Sequence, residues 1–357
     1  MIRPKKHLAG IHRTPPERFD RTRYVRLDKN EDVSGIPEEI FRIWAEQVKP
    51  VQLAAYPQLF RLYEKLGEYL SLPEDHILVT AGSDAAIKNV FEVFVSHGDT
   101  VIIPDPTYAM YEVYSYLFEA SVVKIPYRKD LSFPVNEMIE AINDCTRLVV
   151  LANPNSPTGT IVERADILRI LKKAKKHDCI VLIDEAYYPF YPKTVVDLVR
   201  KYDNLIVTRT FSKAFGLAAL RLGYAVAQPS LIGNLTKFRP IYESNGIAAD
   251  IGCLVLDHKN VIEKRVREIV RGRDYLIRET RRLGFRPYPS HSNFVNIDVG
   301  MKHVRQLVTF FEKKGILIKA GANHPALLPC IRITAGPPDV MKQVVMYLKE
   351  YCDGKKP

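Results

Sequence analysis

Short runs of apolar and β-branched residues alternate with segments of helical periodicity through the first two-thirds of the chain. Apolar runs without a regular polar position are typical of strands buried on both faces, as in a parallel sheet covered by helices. The seven runs are residues 77–80, 100–103, 121–125, 148–151, 180–183, 205–208 and 222–226, and helical spacing is found at 85–95, 163–176 and 195–201. This alternation predicts an α/β fold with a mainly parallel seven-stranded sheet.

The pattern changes after about Pro229. From there to about Leu283 the charged positions predict a long helical stretch with one polar face. Strand-like runs then follow at 292–297, 316–319 and 331–334, with helical segments at 304–314 and 340–351. We therefore predict a large domain at residues 46–255 and a smaller α+β C-terminal domain at 256–357. An N-terminal arm at 1–45 is predicted to belong to the small domain.

The composition is that of a folded protein without a membrane span. Hydrophobic residues make up 46% of the 357 positions, yet no run approaches the roughly 18 to 20 consecutive apolar residues that a span needs. The N-terminus lacks the apolar block of a signal peptide, so the cytoplasm is the expected location. The five cysteines lie singly, which favours reduced thiols, and the nine histidines show no zinc-ligand spacing, so no metal is expected.

The net charge of +11 raises the question of a nucleic-acid partner. The basic residues are mostly mixed with acidic ones in helix-like segments, for example at 265–268 and 278–282. This mixing is typical of a solvated helix face, so neither a nucleic acid nor a membrane is an expected partner. The positive charge does suit anionic small molecules.

Polar groups gather where the predicted strands end, which is where open α/β sheets bind ligands. Gly82, Ser83 and Asp84 follow the first strand and begin a helix, and the free amides of its first turn would suit a phosphate. A capped helix without a ligand would have the same sequence. Asp184 ends the fifth strand, where a buried carboxylate needs a positive partner such as a protonated pyridine nitrogen. The alternative there is a capping or salt-bridged structural aspartate.

Two further strand ends carry an amide-rich loop and an enclosed lysine. Residues 153–159 form a rigid turn that contains Asn155 and Ser156. Lys213 lies between Phe211 and Phe215, where burial would lower the pKa of its amine and make it a nucleophile for a carbonyl. Arg221 follows eight positions later and is suited to neutralise a phosphate. Each feature alone is compatible with a structural role, but together they indicate a cofactor site.

Residues 184–187, 212–217 and 221–224 resemble the signature of class I and II aminotransferases of fold type I, which use pyridoxal 5'-phosphate (PLP). The resemblance is strongest to the histidinol-phosphate aminotransferase branch and covers nearly the whole chain. It also includes residues 27–31, Tyr56-Pro57, Pro106-Thr107-Tyr108 and 331–334. It implies a homodimer in which PLP lies between the large domain, the small domain and the partner subunit.

The resemblance implies a role for each matching residue. Lys213 would bind the cofactor covalently and move a proton, Asp184 would keep the pyridine nitrogen protonated, and Tyr187 would contact the ring's 3'-oxygen. Tyr108 would stack on the ring, and Arg332 would bind an anionic group of the substrate. The implied phosphate contacts come from Gly82, Ser83, Asp84, Thr210, Ser212, Arg221 and, across a subunit interface, Tyr56.

Two positions depart from the usual pattern of this family. Ser156 stands where the family has an asparagine that contacts the 3'-oxygen, so either Ser156 or Asn155 is expected to make this contact. Lys319 stands where histidinol-phosphate enzymes tend to have an arginine, and it is expected to bind substrate beside Arg332. The expected reaction moves an amino group from an amino acid, with glutamate as the expected donor, to a small keto acceptor that is phosphorylated or otherwise polar.

Two other functions are open on the same scaffold. A decarboxylase of an amino acid or amino acid phosphate would bind its substrate in the same way and break a different bond at Cα. A non-catalytic protein of this fold is expected to lack the lysine, the aspartate or the phosphate-binding arginine, and this chain has all three. Transamination is therefore the leading prediction.

Overall fold

The computed structural model describes residues 5, 7–8, 11 and 18–354. Its helices are α1 Glu38–Gln47, α2 Pro50–Ala54, α3 Phe60–Leu70, α4 Ser83–Phe94, α5 Ala109–Leu117, α6 Val135–Ala141, α7 Arg164–Lys175, α8 Pro229–Thr236, α9 Gly246–Asp257, α10 Lys259–Arg282, α11 Met301–Lys313 and α12 Pro338–Asp353. Its strands are β1 Val25–Arg26, β2 Ile77–Thr80, β3 Thr100–Asp105, β4 Ser121–Pro126, β5 Thr146–Ala152, β6 Ile180–Asp184, β7 Leu205–Thr210, β8 Gly223–Ala227, β9 Arg286–Pro287, β10 Phe294–Asp298, β11 Ile316–Leu317, β12 Lys319–Ala320 and β13 Cys330–Thr334. Among the helices in the described ranges, none is both long and apolar enough to cross a membrane.

The predicted seven-stranded sheet is confirmed. Its strands lie in the order β2-β8-β7-β6-β5-β3-β4, and β8 alone runs antiparallel to its two neighbours. Strands β5, β6 and β7 are therefore parallel neighbours, and their carboxyl ends meet at one edge. The segments that follow these strands are brought together at that edge.

Both faces of this sheet are buried along six of its strands, as the continuous apolar runs predicted, whereas the edge strand β4 is mostly exposed or half-buried. Within β6, Val181 and Ile183 pack into one hydrophobic core and Leu182 into the core on the opposite face. Successive side chains of a strand point to opposite faces, so an all-apolar run fills two cores at once. Polar side chains are accordingly gathered at the strand ends.

A second, antiparallel sheet has the order β12-β13-β10-β9. Val295 and Ile333 lie on the face that packs against α10, α11 and α12. The alternate residues, among them Phe294 and Arg332, lie on the opposite face. Phe294 meets the ring of Tyr187, with ring centroids 5.5 Å apart, so this face is turned toward the polar edge of the seven-stranded sheet. The space between them is called the cleft below.

Backbone hydrogen bonds join the N-terminal arm to β11 and to the end of β13. Strand β1 pairs in parallel with β11, and the amide of Thr334 donates to the carbonyl oxygen of Leu27. The segment from Leu27 to Asp32 is thereby held along the cleft.

Three local predictions differ from the structure. The single helical stretch predicted from Pro229 to Leu283 is three helices. Pro240 disfavours helix and Asn245 caps α9 by accepting from the amide of Ala248, and the non-helical backbone of His258 separates α9 from α10. The predicted strand 316–319 is divided, since β11 pairs with β1 whereas β12 pairs with β13. The helical segment 195–201 is a short 3-10 helix, Val196–Arg200.

Candidate active site

An anion-binding cradle lies at the start of α4. Gly82 has a φ of +85°, and a Cβ there would lie 2.6 Å from Nη2 of Arg221. The guanidinium of Arg221 is thus held against the first turn of α4, beside the free amides that begin with Ser83. Gly223 permits the same close approach from β8, since a Cβ there would collide with the amide nitrogen of Ser83. A side chain at either glycine would fill the cradle.

Two hydroxyl groups complete the cradle from the end of β7. The Ser212 hydroxyl accepts from the Thr210 hydroxyl at 3.0 Å and from Nη1 of Arg221 at 3.2 Å. Its own proton remains available for a further acceptor. Helix amides, a guanidinium and a hydroxyl that share one small space suit a phosphate.

Asp184, the last residue of β6, is a buried carboxylate. Burial raises the pKa of its carboxyl group from 3.8 to about 6, against the effect of hydrogen bonds that favour the charged form. The Tyr111 hydroxyl donates to Oδ2 at 2.8 Å, and the Thr208 hydroxyl donates to Oδ1 at 3.2 Å. A cationic ring nitrogen would lower this carboxyl pKa again and would have its proton held by the carboxylate.

Lys213 follows β7 and reaches into the cleft. Its Nζ donates to the carbonyl oxygen of Lys29 at 2.9 Å. Burial lowers the pKa of its amine from 10.5 to about 8, and the positive charges of Arg332 and Arg221 act in the same direction. An amine with this pKa is neutral for a substantial fraction of the time near neutral pH, as a nucleophile for an aldehyde must be.

Tyr187 follows shortly after Asp184, with its hydroxyl in the cleft. The Nδ2 of Asn30 donates to this hydroxyl at 2.8 Å. Burial raises the pKa of Tyr187, and hydrogen bonding from Ser156, the charge of Arg332 and hydrogen bonding from Asn30 oppose that rise. Groups from three places therefore face one phenolic oxygen: the arm, strand β13 and the loop after β5.

The loop after β5 resolves which of its two polar side chains reaches Tyr187. Asn155 is buried, its Nδ2 donates to the carbonyl oxygen of Pro106 and to the Thr158 hydroxyl, and its Oδ1 accepts from the Thr107 hydroxyl. The Asn155 amide therefore braces the loops, whereas the Ser156 hydroxyl lies beside Tyr187.

Tyr108 precedes α5 and lies across the mouth of the cradle. Its hydroxyl donates to Oδ1 of Asp84 at 3.2 Å, and the Tyr114 hydroxyl donates to Oδ2 at 2.9 Å. Burial and the charge of Asp84 raise the pKa of Tyr108, so the ring is neutral. The Asp84 side chain thus holds tyrosines, and its backbone amide is the part that belongs to the cradle.

The two predicted substrate residues are neighbours on the second sheet. Lys319 of β12 and Arg332 of β13 are direct cross-strand partners, so both side chains leave the same face. Nη2 of Arg332 donates to the carbonyl oxygen of Asp28 at 2.9 Å, and its Nε is buried without a hydrogen-bond partner among the described residues. This arrangement offers a fork of donors to an anion.

Tyr56 is the predicted site residue that lies apart from the others. Its side chain is 74% exposed, and its ring stacks on Tyr242 at 4.3 Å between centroids and 5° between planes. The structure records no hydrogen bond between the Tyr56 hydroxyl and any described residue of the cleft. Several apolar side chains close to the pair in sequence are also exposed: Val51, Leu53, Phe60, Phe238 and Ile241.

Sequence reasoning missed several groups that shape the site. Tyr111 lies three positions after Tyr108, and its place on the same helical face was an available signal. Asn30 lies within a segment that was noted, yet no pattern pointed to its contact with Tyr187. Glu185 and Arg209 form a buried ion pair beside the strand ends, with Nη2 of Arg209 2.8 Å from Oε2 of Glu185. A pairing between such distant positions has no signature in sequence.

The model of the aminotransferase class I and II family matches residues 50–348, which is more than half of the chain. The chain belongs to the class I and II aminotransferase family. The histidinol-phosphate aminotransferase of Thermoanaerobacter pseudethanolicus is 36% identical over 329 residues, covering 91% of this chain and 92% of that protein. The enzyme of the same description from Clostridium novyi is 31% identical over 329 residues, with 91% of each chain covered.

Solved structures share the fold of this aminotransferase. The histidinol-phosphate aminotransferase of Sinorhizobium meliloti, solved with pyridoxal-5'-phosphate, has a TM-score of 0.87 at 23% identity and covers 98% of this chain and 97% of that one. The L-threonine-O-3-phosphate decarboxylase of Porphyromonas gingivalis has a TM-score of 0.78 at 24% identity, over 92% of this chain and 99% of that one. At these identities the likeness shows the fold alone. The aminotransferases similar at 31–36% identity make the decarboxylase alternative the less favoured one.

Family membership makes this protein a PLP-dependent transaminase, and its residues fit that cofactor. The cradle at Gly82 and Arg221 suits the phosphate, and the buried carboxylate of Asp184 suits the ring nitrogen. The amine of Lys213 interacts with the charges of both Arg221 and Asp184, and its pKa is lowered.

Proposed function

We propose that this aminotransferase takes an amino group from glutamate and transfers it to a phosphorylated keto compound of the imidazoleacetol phosphate type, which is the histidinol-phosphate aminotransferase reaction. The convergence of Asp184, Lys213 and the Arg221 cradle at one sheet edge carries the proposal for the chemistry. The relatives at 31% and 36% identity support the substrate class.

The proposed roles follow from the position of each side chain. When bound, PLP accepts the amino group and withdraws electrons from the substrate's Cα. Nζ of Lys213 holds the cofactor and later carries a proton to and from Cα, which its lowered pKa permits. The carboxylate of Asp184 keeps the ring nitrogen protonated, and Tyr187 with Ser156 contacts the ring's 3'-oxygen. Tyr108 covers the ring, while Ser83, Ser212 and Arg221 bind the phosphate.

Substrate binding is assigned to the face of the second sheet. Arg332 offers its fork to the carboxylate of the donor, in competition with the Asp28 carbonyl that it contacts in this structure. Lys319, on the adjacent strand, places a second cation within reach of an acceptor phosphate. One pair of cations then serves both substrates.

We further propose a homodimer in which Tyr56 contacts the cofactor phosphate of the partner subunit. The support is its exposure at 74%, the exposure of Val51, Leu53 and Phe60 close to it in sequence, and the absence of a recorded hydrogen bond from its hydroxyl to the described residues of the cleft. Exposed apolar surface is a feature of interaction sites. We also propose domain boundaries at residues 45 and 255, supported by the separate seven-stranded and four-stranded sheets and testable by limited proteolysis. We propose a cytoplasmic location, which cell fractionation would test.

The proposed reaction is tested by the absorption spectrum of the purified holoenzyme. L-Glutamate and L-histidinol phosphate, added separately, are each expected to convert the visible band to that of the aminated cofactor. Unphosphorylated histidinol is expected to act at least about 10-fold more slowly, since it lacks the charge that Lys319 would meet. Lys213→Ala is the control that cannot form the band. A band that glutamate and histidinol phosphate both leave unchanged would refute the proposal.

The homodimer is tested by light scattering on the wild-type protein and on Tyr56→Phe. A mass of two chains is expected for both, with weaker cofactor binding in Tyr56→Phe. Tyr116→Phe, which removes a hydroxyl from another exposed ring, is the matched control. A monomer with full turnover would refute the proposed interface.

A further inference from the structure

Asn30 connects the arm to β13, to the residue that precedes β10 and to the cleft. It is 3% exposed and has a φ of +57°. Its amide nitrogen donates to the Thr334 hydroxyl at 3.0 Å, and its carbonyl oxygen accepts from Nδ2 of Asn293 at 3.1 Å. Its side chain contacts Tyr187 on one side and Thr334 on the other. Every polar group of Asn30 therefore has a partner.

The Thr334 hydroxyl determines which way the Asn30 amide faces. That hydroxyl accepts the backbone N–H of Asn30, so its single proton must be donated elsewhere, and Oδ1 of Asn30 accepts it at 3.3 Å. The opposite orientation of the amide would leave the buried Thr334 proton without an acceptor, which is costly. The NH2 group of Asn30 is thus turned to Tyr187.

The direction of the hydrogen bond from Asn30 fixes that of Tyr187. An amide NH2 group can only donate, so the Tyr187 oxygen is the acceptor and its proton points away from Asn30. The charged groups that face Tyr187 are Arg332 on β13 and Asp184 on β6, and the titratable Tyr108 also interacts with it. The Asp184 carboxylate accepts from Tyr111 and Thr208, and no hydrogen bond from Tyr187 to it is found among the described residues. Ser156, like Asn30, hydrogen-bonds to the Tyr187 oxygen as a donor, so the phenolic proton is left for an acceptor within the cleft.

We infer that Asn30 is a positioning residue that makes Tyr187 a one-way donor to the phenolic 3'-oxygen of the cofactor. This inference rests on the proposed function, because it needs PLP in the cleft. A hydrogen bond donated to that oxygen stabilises its negative charge, and so favours the deprotonated form of the bound cofactor. Asn30 would accordingly lower the pH at which the visible band of the holoenzyme titrates.

Two substitutions at position 30 separate direction from packing. In Asn30→Asp the carboxylate can only accept, so the Tyr187 proton turns toward it and the band is expected to titrate roughly one pH unit higher. In Asn30→Ala the cofactor oxygen is still the best acceptor for Tyr187, and a shift of less than half that size is expected. A purely structural role predicts the reverse order, since alanine removes more contacts.

The negative charge of the new aspartate could itself shift the titration, and repeating the substitution in Tyr187→Phe separates this effect from the one that acts through the hydroxyl. If Asn30 acts through Tyr187, Asn30→Asp is expected to cause little further shift when the hydroxyl is absent. Asn293→Ala removes a hydrogen bond to the backbone carbonyl of Asn30 and leaves the Asn30 side-chain amide in place. It is the matched control, and its cofactor band is expected to titrate at the same pH as that of the wild type.

The possible outcomes distinguish a failure of the proposed role of Asn30 from a failure of the proposed function. A wild-type protein without a cofactor band would refute the proposed function itself. A normal band whose titration is the same in Asn30→Asp, or shifts equally with and without the Tyr187 hydroxyl, would overturn the role of Asn30 alone. An upward shift in Asn30→Asp that vanishes in Tyr187→Phe supports it.

Discussion

The hydroxyl of Tyr111 donates to Oδ2 of Asp184 at 2.8 Å, and both side chains are shielded from solvent. The bond supports the charged form of a carboxylate that burial disfavours. Tyr111→Phe is expected to weaken PLP binding about 10- to 100-fold, the usual effect of losing a hydrogen bond to a buried charge. Titration of the apoprotein with PLP measures this, and Tyr116→Phe on the same helix is the control. Equal affinities for wild type and Tyr111→Phe would contradict the assigned role.

The amine of Lys213 makes reconstitution of the holoenzyme dependent on pH. Its pKa of about 8 means that the neutral, reactive amine increases as pH rises toward 8 and changes little above it. The rate of band formation from apoprotein and PLP is expected to rise up to about 10-fold per pH unit below 8 and then to level off. Stopped-flow absorption measures the profile. A rate that keeps rising to about pH 10 would show an ordinary lysine.

Asp184 should destabilise the apoprotein at neutral pH. Its pKa is raised from 3.8 to about 6, so the folded state holds the proton more tightly and loses stability as pH rises between these values. Asp184→Asn removes this effect, and is expected to be about 2–3 kcal/mol more stable than wild type at about pH 8. Little of this gain is expected at about pH 3, below both pKa values, where both states mostly hold the proton. Chemical unfolding of cofactor-free protein at both pH values is the measurement, and a gain that does not depend on pH would contradict the shift.

The buried pair of Arg209 and Glu185 should be sensitive to loss of one partner. Both side chains are at most 5% exposed, and the guanidinium lies 3.6 Å above the ring of Tyr188. Arg209→Met is expected to cost about 3–5 kcal/mol, because it leaves the Glu185 carboxylate buried without its cation. The double variant with Glu185→Leu is expected to cost less than the single one. Urea unfolding compares them, and additive costs would show that the pair is not coupled.

Lys319 should affect the phosphorylated substrate selectively. Lys319→Met is expected to lower kcat/KM for histidinol phosphate roughly 10-fold, with a smaller effect on glutamate, since one charge-assisted contact is lost. Lys302→Met, an exposed lysine on α11, is the control. Steady-state kinetics with both donors provides the comparison. Equal losses for the two donors would remove the basis for assigning the phosphate to Lys319.

The sheet could be predicted from sequence because most of its strands are buried on both faces, and such strands are continuous apolar runs in the sequence. Asp184 and Lys213 could be placed at the edge of the sheet for a related reason, since they lie at or shortly after the end of such a run. The boundaries between α8, α9 and α10 were missed because all three segments keep helical spacing, interrupted only around Pro240 and Asn245 and by the single residue His258.

Contacts across long sequence separations were beyond the reach of the pattern. Asn30 and Tyr187 are 157 positions apart, and their hydrogen bond exists because β1 is held against β11. Which of Asn155 and Ser156 lies beside Tyr187 likewise depends on contacts within the loop, because the Asn155 amide is hydrogen-bonded to Pro106 and Thr158. Local chemistry predicted which residue types gather at the edge, but not which atom meets which.

The contacts of Lys213 with the Lys29 carbonyl and of Arg332 with the Asp28 carbonyl have a consequence for mutagenesis. No exchange of side chains at positions 28 or 29 removes a carbonyl oxygen, so an alanine scan of the arm would pass over both contacts. Only a change in the chain itself, such as an ester in place of an amide, or a deletion that shifts the arm by one residue, would expose them. The two most important cations of the cleft are thus held by groups that are the same in every amino acid.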